Sequence, residues 1–254
     1  MRDNLHSSNL QSVSRAVRSL ELIAESGELG VHKATASRLV ATLADGGLVE
    51  RDPVTEKYRL GFGLIRLAGA AMSGLDLVRT ARPILEDLAE RTRETVNLGV
   101  LSGDAVVYVD QVSGSDAIVS VSWVGRRTAL HCSSNGKVLL GFLPEAERER
   151  VLVRPLERAT PNTIVDPDAL SAQLRDVRVR GYAQTLEELE EGLNAVAAPV
   201  RRADGEVVAA LSVSGPAFRM RPVDLPRIAR LTMDAAGAVS RRLGYVDRGR
   251  TAAG

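Results

Sequence analysis

One cysteine in 254 residues, Cys132, leaves no partner for an internal disulfide. Histidine occurs only as His6, His32 and His131, so every multi-cysteine zinc module is excluded and no metal is expected. An excess of either charge sign is also missing: 33 Lys+Arg face 32 Asp+Glu, for a formal net charge of +1. That balance excludes a highly charged nucleic-acid coat and an acidic tail. Lysine is scarce (Lys33, Lys57 and Lys137), and aromatics make up 3%. A bias toward arginine of this kind follows genome base composition and is no sign of phosphate recognition. No apolar run approaches the ~20 residues of a membrane span; the longest, such as 138–143, are core-sized. The opening Met1-Arg-Asp-Asn-Leu-His6 has none of the apolar core of a signal peptide, so a cytoplasmic protein is expected. What is present, 44% apolar and 26% charged residues, suits one large domain or two modest ones with a real core.

Apolar spacing divides the chain. Residues 1–11 are polar and aperiodic, as in a loose arm. Val13, Val17, Leu20 and Ile23 follow at helical spacing, and Gly27 ends the run. A second helix is expected over 33–45, stopped by Gly46-Gly47. Residues 48–60 alternate on both sides of a polar tip, 52–57, as a hairpin does. Residues 61–74 read as a linker helix with Leu64, Leu67, Ala68 and Ala71 along one side. From 75 to 245 helices are expected over 77–92, 133–141, 145–152, 168–180 and 223–243. Strands are expected over 95–101, 105–111, 117–123, 193–200 and 206–214. Strands amid helices make an α+β domain, with a tail from 246 to 254.

Helix, helix and ribbon is the layout of a winged helix-turn-helix. In the second helix Ala36, Leu39, Val40 and Leu43 share the packing face. Ala34, Ser37, Arg38 and Ala41 lie opposite, with Lys33, Thr35 and Thr42 at the flanks. Such small and short polar residues let a helix sit deep in a major groove, where Arg38 addresses guanine or phosphate. Arg51 and Lys57 at the hairpin tip and Arg59 on its return strand suit phosphate contacts. A merely solvated helix face and hairpin carry the same residues, and chemistry alone leaves both readings open. The first 74 residues hold nine Lys+Arg and eight Asp+Glu, so affinity for DNA rests on oriented contacts more than on bulk charge.

In the second half, Cys132 beside His131 invites a Cys–His nucleophile, yet neighbours on a strand point to opposite faces. A binding pocket is the better use of this stretch. Ser133 or Ser134 caps a helix whose free N–H groups attract carboxylate or phosphate. Ser212 and Ser214 project on one side of a strand, where they orient a small polar ligand or else face solvent.

The chain resembles the isocitrate lyase regulator (IclR) family of bacterial transcription factors. The carrying segments are Ser14-Arg-Ala-Val-Arg-Ser-Leu-Glu-Leu-Ile-Ala24, Lys33-Ala-Thr-Ala-Ser-Arg-Leu-Val-Ala-Thr-Leu43, Gly47-Leu-Val-Glu-Arg51 and Tyr58-Arg-Leu-Gly61. Further along come Tyr108-Val-Asp110, Gly136-Lys137, Glu191-Gly192, Ala197-Ala-Pro-Val200 and Leu211-Ser-Val-Ser-Gly-Pro216. The likeness spans roughly 12–245 in the family's order. It implies an α+β chain with an N-terminal winged helix-turn-helix, a linker helix and a C-terminal GAF-like effector-binding domain. It further implies operator DNA and a small organic metabolite as partners, a homodimer or homotetramer, and neither cofactor nor catalysis. The implied pocket takes in Gly125, Leu130, His131, Cys132 and Ser133, then Thr185, Asn194, Ala195, Ser212 and Ser214. Ala195 stands where some members have cysteine or serine, and Thr185 where some have aspartate; Trp123 near the rim offers a ring to stack on. One departure is plain: members place a further helix of roughly ten residues before the recognition helix, whereas here Gly30 runs straight into Val31. Either the element is lost or residues are missing between the two, and the abrupt junction favours the second. Rival functions are a sensor module that no longer contacts DNA and a Cys132-dependent hydrolase.

Overall fold

The computed structural model describes residues 3–26, 36–67, 76–116 and 122–246. They fall into two compact units, 1–76 and 77–254. The first holds α1 (Asp3–Ser26), α2 (Ala36–Asp45) and a hairpin of β1 (Val49–Arg51) and β2 (Tyr58–Leu60). Its core is small: Ile23, Val40, Leu43 and Val49 are buried, with Leu20, Leu48 and Tyr58 packed around them. The glycine pair ends α2 as the sequence suggests. Gly47 takes the left-handed φ of +69°, and its N–H and that of Leu48 return to the carbonyls of Ala44 and Leu43 at 2.8 Å each. At the hairpin tip Asp52 accepts the N–H groups of Val54 (2.8 Å) and Thr55 (2.9 Å). Those bonds hold its carboxyl below the ordinary range. The expected loose arm is corrected: helix already runs from Asp3. The linker is helical over 63–67, while its remainder, and the Gly30–Val31 junction, lie outside the described residues.

The second unit runs α3 (Asp76–Thr92), β3 (Thr95–Ser102), β4 (Ala105–Val112), β5 (Arg127–Ala129), α4 (Ser134–Phe142), α5 (Glu145–Leu152), α6 (Pro167–Arg180), β6 (Ala183–Leu186), β7 (Leu193–Arg201), β8 (Val207–Pro216) and α7 (Leu225–Arg242). Its antiparallel sheet has the order β5-β4-β3-β8-β7-β6. Period two assigns the faces. Val196, Ala198, Val200, Leu211 and Val213 pack with Leu85 and Leu88 of α3 and Ile228 and Val239 of α7. Ala197 and Ala210 turn to the other side, against Val138, Leu140, Leu170 and Leu174 of α4 and α6. Small residues on that side admit α4 closely, and all of 134–141 is buried. At Gly99 an added Cβ would strike Asn135 and Val106.

Two expectations fail locally. Residues 122 and 123 are not strand, and Val124 makes only an isolated bridge to Tyr108. The edge strands β5 and β6 went unread because three or four residues give too short an alternation to register. No described helix is long and apolar enough to cross a membrane.

Candidate functional site

Helix α4 begins where the sheet is lined with small residues. Ser133 caps it: its hydroxyl accepts the Gly136 N–H (3.1 Å) and donates to the Ala129 carbonyl (2.9 Å). Opposite stand Ser212 and Ser214, on the sheet face shared with Ala210. Together with Thr185 and Ala195 these residues surround a narrow chamber of about 20 Å³, little more than a water's room. Asn97 completes it: its amide nitrogen donates to Ser214 Oγ at 3.2 Å, while Oδ1 is buried with no protein partner. A buried amide oxygen left unpaired costs about 1–3 kcal/mol, so the chamber is built to receive a polar group. Trp123, Leu193 and Ser214 also line a wider cavity of about 440 Å³ that continues outward past Arg126, Glu191 and Phe218. Glu94, in its lining, is held in a forked ion pair by Arg219, Nε to Oε1 at 2.7 Å and Nη2 to Oε2 at 2.9 Å. Gly215 lies against it, where a side chain would collide with Glu94. Arg126 stacks over Trp123, 5.2 Å from the ring.

Of the expected pocket residues, Ser133, Thr185, Ala195, Ser212 and Ser214 meet at this chamber. The others serve elsewhere. Leu130 is core. Asn194 is fully engaged, accepting the Glu187 N–H (3.0 Å) and donating to the Met220 carbonyl (2.9 Å). Gly125 supplies a turn at φ +82° and lies outside both linings. His131 and Cys132 occupy a turn rather than a strand, so the alternation argument does not apply to them. The ring of His131 bonds the Glu157 carbonyl at 2.8 Å and makes no bond to the thiol. Asn97, Tyr108, Leu189 and Leu193 were missed; only the strand partnership of Asn97 with Ser212 would have revealed the first.

Beneath the chamber Lys137 and Glu188 form a buried ion pair, Nζ to Oε1 2.6 Å and to Oε2 2.5 Å. Burial pulls the lysine down from its ordinary range and pushes the glutamate up, each opposed by the partner's charge. Burial first, and then the Glu188 carboxylate, pushes the Cys132 thiol up to about 11. At pH 8 that leaves on the order of one thiolate in a thousand. Ellman's reagent is therefore expected to leave the native protein untouched at pH 8 and to count one thiol after denaturation; rapid native labelling would refute the inert assignment.

In the N-terminal unit, Val40 and Leu43 face the core while Ala41 and Thr42 are exposed on the other side of α2. Ser37 and Arg38 fall in its first turn; Lys33 and Thr35 lie outside the described residues. The wing cations are not idle. Arg51 pairs with Glu56 at 3.1 Å and Arg59 with the half-buried Glu50 at 3.4 Å, at the surface where such pairs are worth under about 1 kcal/mol. Lys57 is exposed beside them.

Comparison with known proteins adds the following. Residues 69–241 match the family described as bacterial transcriptional regulator IclR C-terminal, and 12–53 the IclR helix-turn-helix domain. The chain is 34% identical to the HTH-type transcriptional regulator XynR of Escherichia coli over 247 residues, covering 93% of this chain and 98% of that one. It is 37% identical to BhcR of Paracoccus denitrificans, over 92% of this chain and 88% of the relative. An IclR regulator structure from Alicyclobacillus acidocaldarius superposes with a TM-score of 0.81 at 30% identity, over 92% and 99% of the two chains. An IclR homologue from Microbacterium hydrocarbonoxydans, complexed with 4-hydroxybenzoate, superposes with 0.73 at 32% identity, over 82% and 84%.

Proposed function

Since the chain belongs to the IclR family of bacterial transcriptional regulators, we propose that its effector seats its body in the 440 Å³ cavity and one polar group in the serine-lined chamber. The observation that carries this reading is the meeting of Ser212, Ser214, Thr185 and the start of α4 around an unpaired Asn97 oxygen. Hydroxyls and helix-terminal N–H groups orient such a group, while Trp123 and Phe218 offer apolar surface to the rest. In this reading 12–60 contacts DNA, 61–74 links, and 75–245 senses. Ser37, Arg38 and Thr42 of α2, with Lys33 and Thr35 before it, read base edges and phosphates; Arg51, Lys57 and Arg59 hold the backbone. The protein works in the cytoplasm, without catalysis.

Operator binding is controlled by population shift: the effector binds one arrangement of the assembled protein better than another and so changes half-site spacing. The assembly is a homodimer or homotetramer. Phe62, Ile65 and Leu67 are 73%, 65% and 53% exposed in the single chain, a surplus of apolar surface that a second copy would cover.

Calorimetric titration with 4-hydroxybenzoate as the first probe, then with other small hydroxy and keto acids, tests the pocket. The double substitution Ser212→Ala, Ser214→Ala removes two hydrogen bonds of about 0.5–1.5 kcal/mol each, so affinity should fall roughly tenfold. Equal affinity before and after moves the effector elsewhere. A second reading, a sensor that no longer grips DNA, is favoured by one observation, the direct run of Gly30 into Val31 where members of the family place a further helix. A gel shift with the protein's own upstream sequence separates the two.

A further inference from the structure

We propose that the Lys137–Glu188 ion pair is the positioning device of the effector cavity, tying the wall loop 187–192 to the first turn of α4. The inference rests on the cavity being the effector site. Lys137 is fully buried and Glu188 is 5% exposed, and the ammonium bridges both carboxylate oxygens at 2.6 and 2.5 Å. The two residues belong to different walls of the same space. α4 contributes Ser134, while the loop contributes Leu189 to the chamber and Glu190 and Glu191 to the outer cavity, and Leu193, which opens β7 directly after it, lines both.

The loop is fixed at further points around that pair. Thr160 Oγ1 donates to the Glu187 carbonyl at 2.6 Å and Thr163 Oγ1 to the Glu188 carbonyl at 2.7 Å. The Gly192 N–H closes on Glu187 Oε2 at 2.7 Å. Glu187 itself sits at φ +55°, a left-handed conformation that a side-chain-bearing residue keeps only when its surroundings impose it. A pair of apolar residues fills a buried gap as stably as an ion pair does, but without direction. A bidentate salt bridge fixes where the loop lies along the helix, which is what a cavity wall requires.

The test uses the full chain and Trp123, its only tryptophan, which lines both spaces and reports their access through acrylamide quenching. Lys137→Met and Glu188→Gln each strand a buried partner, so melting should drop by about 10 °C and the quenching constant should rise roughly twofold as the wall loosens. The decisive variant is Lys137→Met combined with Glu188→Leu. Melting should recover to within a few degrees, roughly as apolar replacements of buried pairs do, while Trp123 stays as quenchable as in the single variants. If protection of Trp123 returns together with stability, the pair is only structural and the proposal falls; it falls equally if folded single variants quench like wild type. Should the single variants not fold, the double variant decides alone. A wild-type cavity that binds none of the acids defeats the effector reading instead, and leaves the quenching comparison standing.

Discussion

Arg38→Ala should remove operator binding while leaving effector titration unchanged. Arg38 stands in the first turn of α2, whose opposite side is committed to the small core through Val40 and Leu43. An arginine reading guanine is worth about 1–3 kcal/mol per contact, and a symmetric dimer uses it twice. The combined loss is on the order of a hundredfold or more in a gel shift at fixed salt. The module gives this residue unusual weight. Nine basic residues in the first 74 are nearly matched by eight acidic ones, and two wing arginines already have carboxylate partners. Few phosphate contacts then support binding, and the dependence of affinity on salt should be shallow. Undiminished affinity of the variant would remove α2 from the DNA interface.

Gly136→Ala should strongly destabilise the effector domain. Gly136 lies in the first turn of α4, and a Cβ there would overlap the Leu130 backbone, including its carbonyl. Neither side can yield: Leu130 is buried, and α4 is enclosed along 134–141. Overpacking against backbone costs about 3 kcal/mol or more, equivalent to a melting drop of roughly 6–12 °C for a domain of this size. Gly103→Ala makes the control, an added Cβ in open space. Unlike Gly136 it carries a positive φ, +63°, but an added Cβ there meets nothing within 4 Å, so the cost should stay near 1 kcal/mol. Equal melting of the two variants would mean that α4 does not approach Leu130 as described.

What was legible in the sequence was local. The capping serine at 133, the shared side of Ser212 and Ser214, the glycine stop at 46–47 and the hairpin all follow from period and turn chemistry, which a few consecutive residues carry. The α+β order and the two-part division were legible for the same reason. What was not legible depends on distant pieces of chain. Asn97 meets Ser214 across 117 positions, and Lys137 meets Glu188 across 51; no spacing rule links them. Leu130, His131, Cys132 and Asn194 shared a plausible neighbourhood with the pocket, yet each has its own work in the core or in a backbone bond. Contiguity along the chain identified the segment but not which side chains turn inward. The wing misled in another way, because its basic residues were read without the acidic neighbours that fold back onto them.

The pairing of β3 with β8 sets the order in which this protein can be assembled. Strand β3 finds its central neighbour only after residues 207–216 have been made, so the sheet's middle cannot close during the first two hundred additions at the ribosome. Until then the edge of β3 that β8 will take stays open, and such long waits slow folding and invite aggregation. Nascent chains halted before β8 should therefore need chaperone protection, and none of them will sense a metabolite.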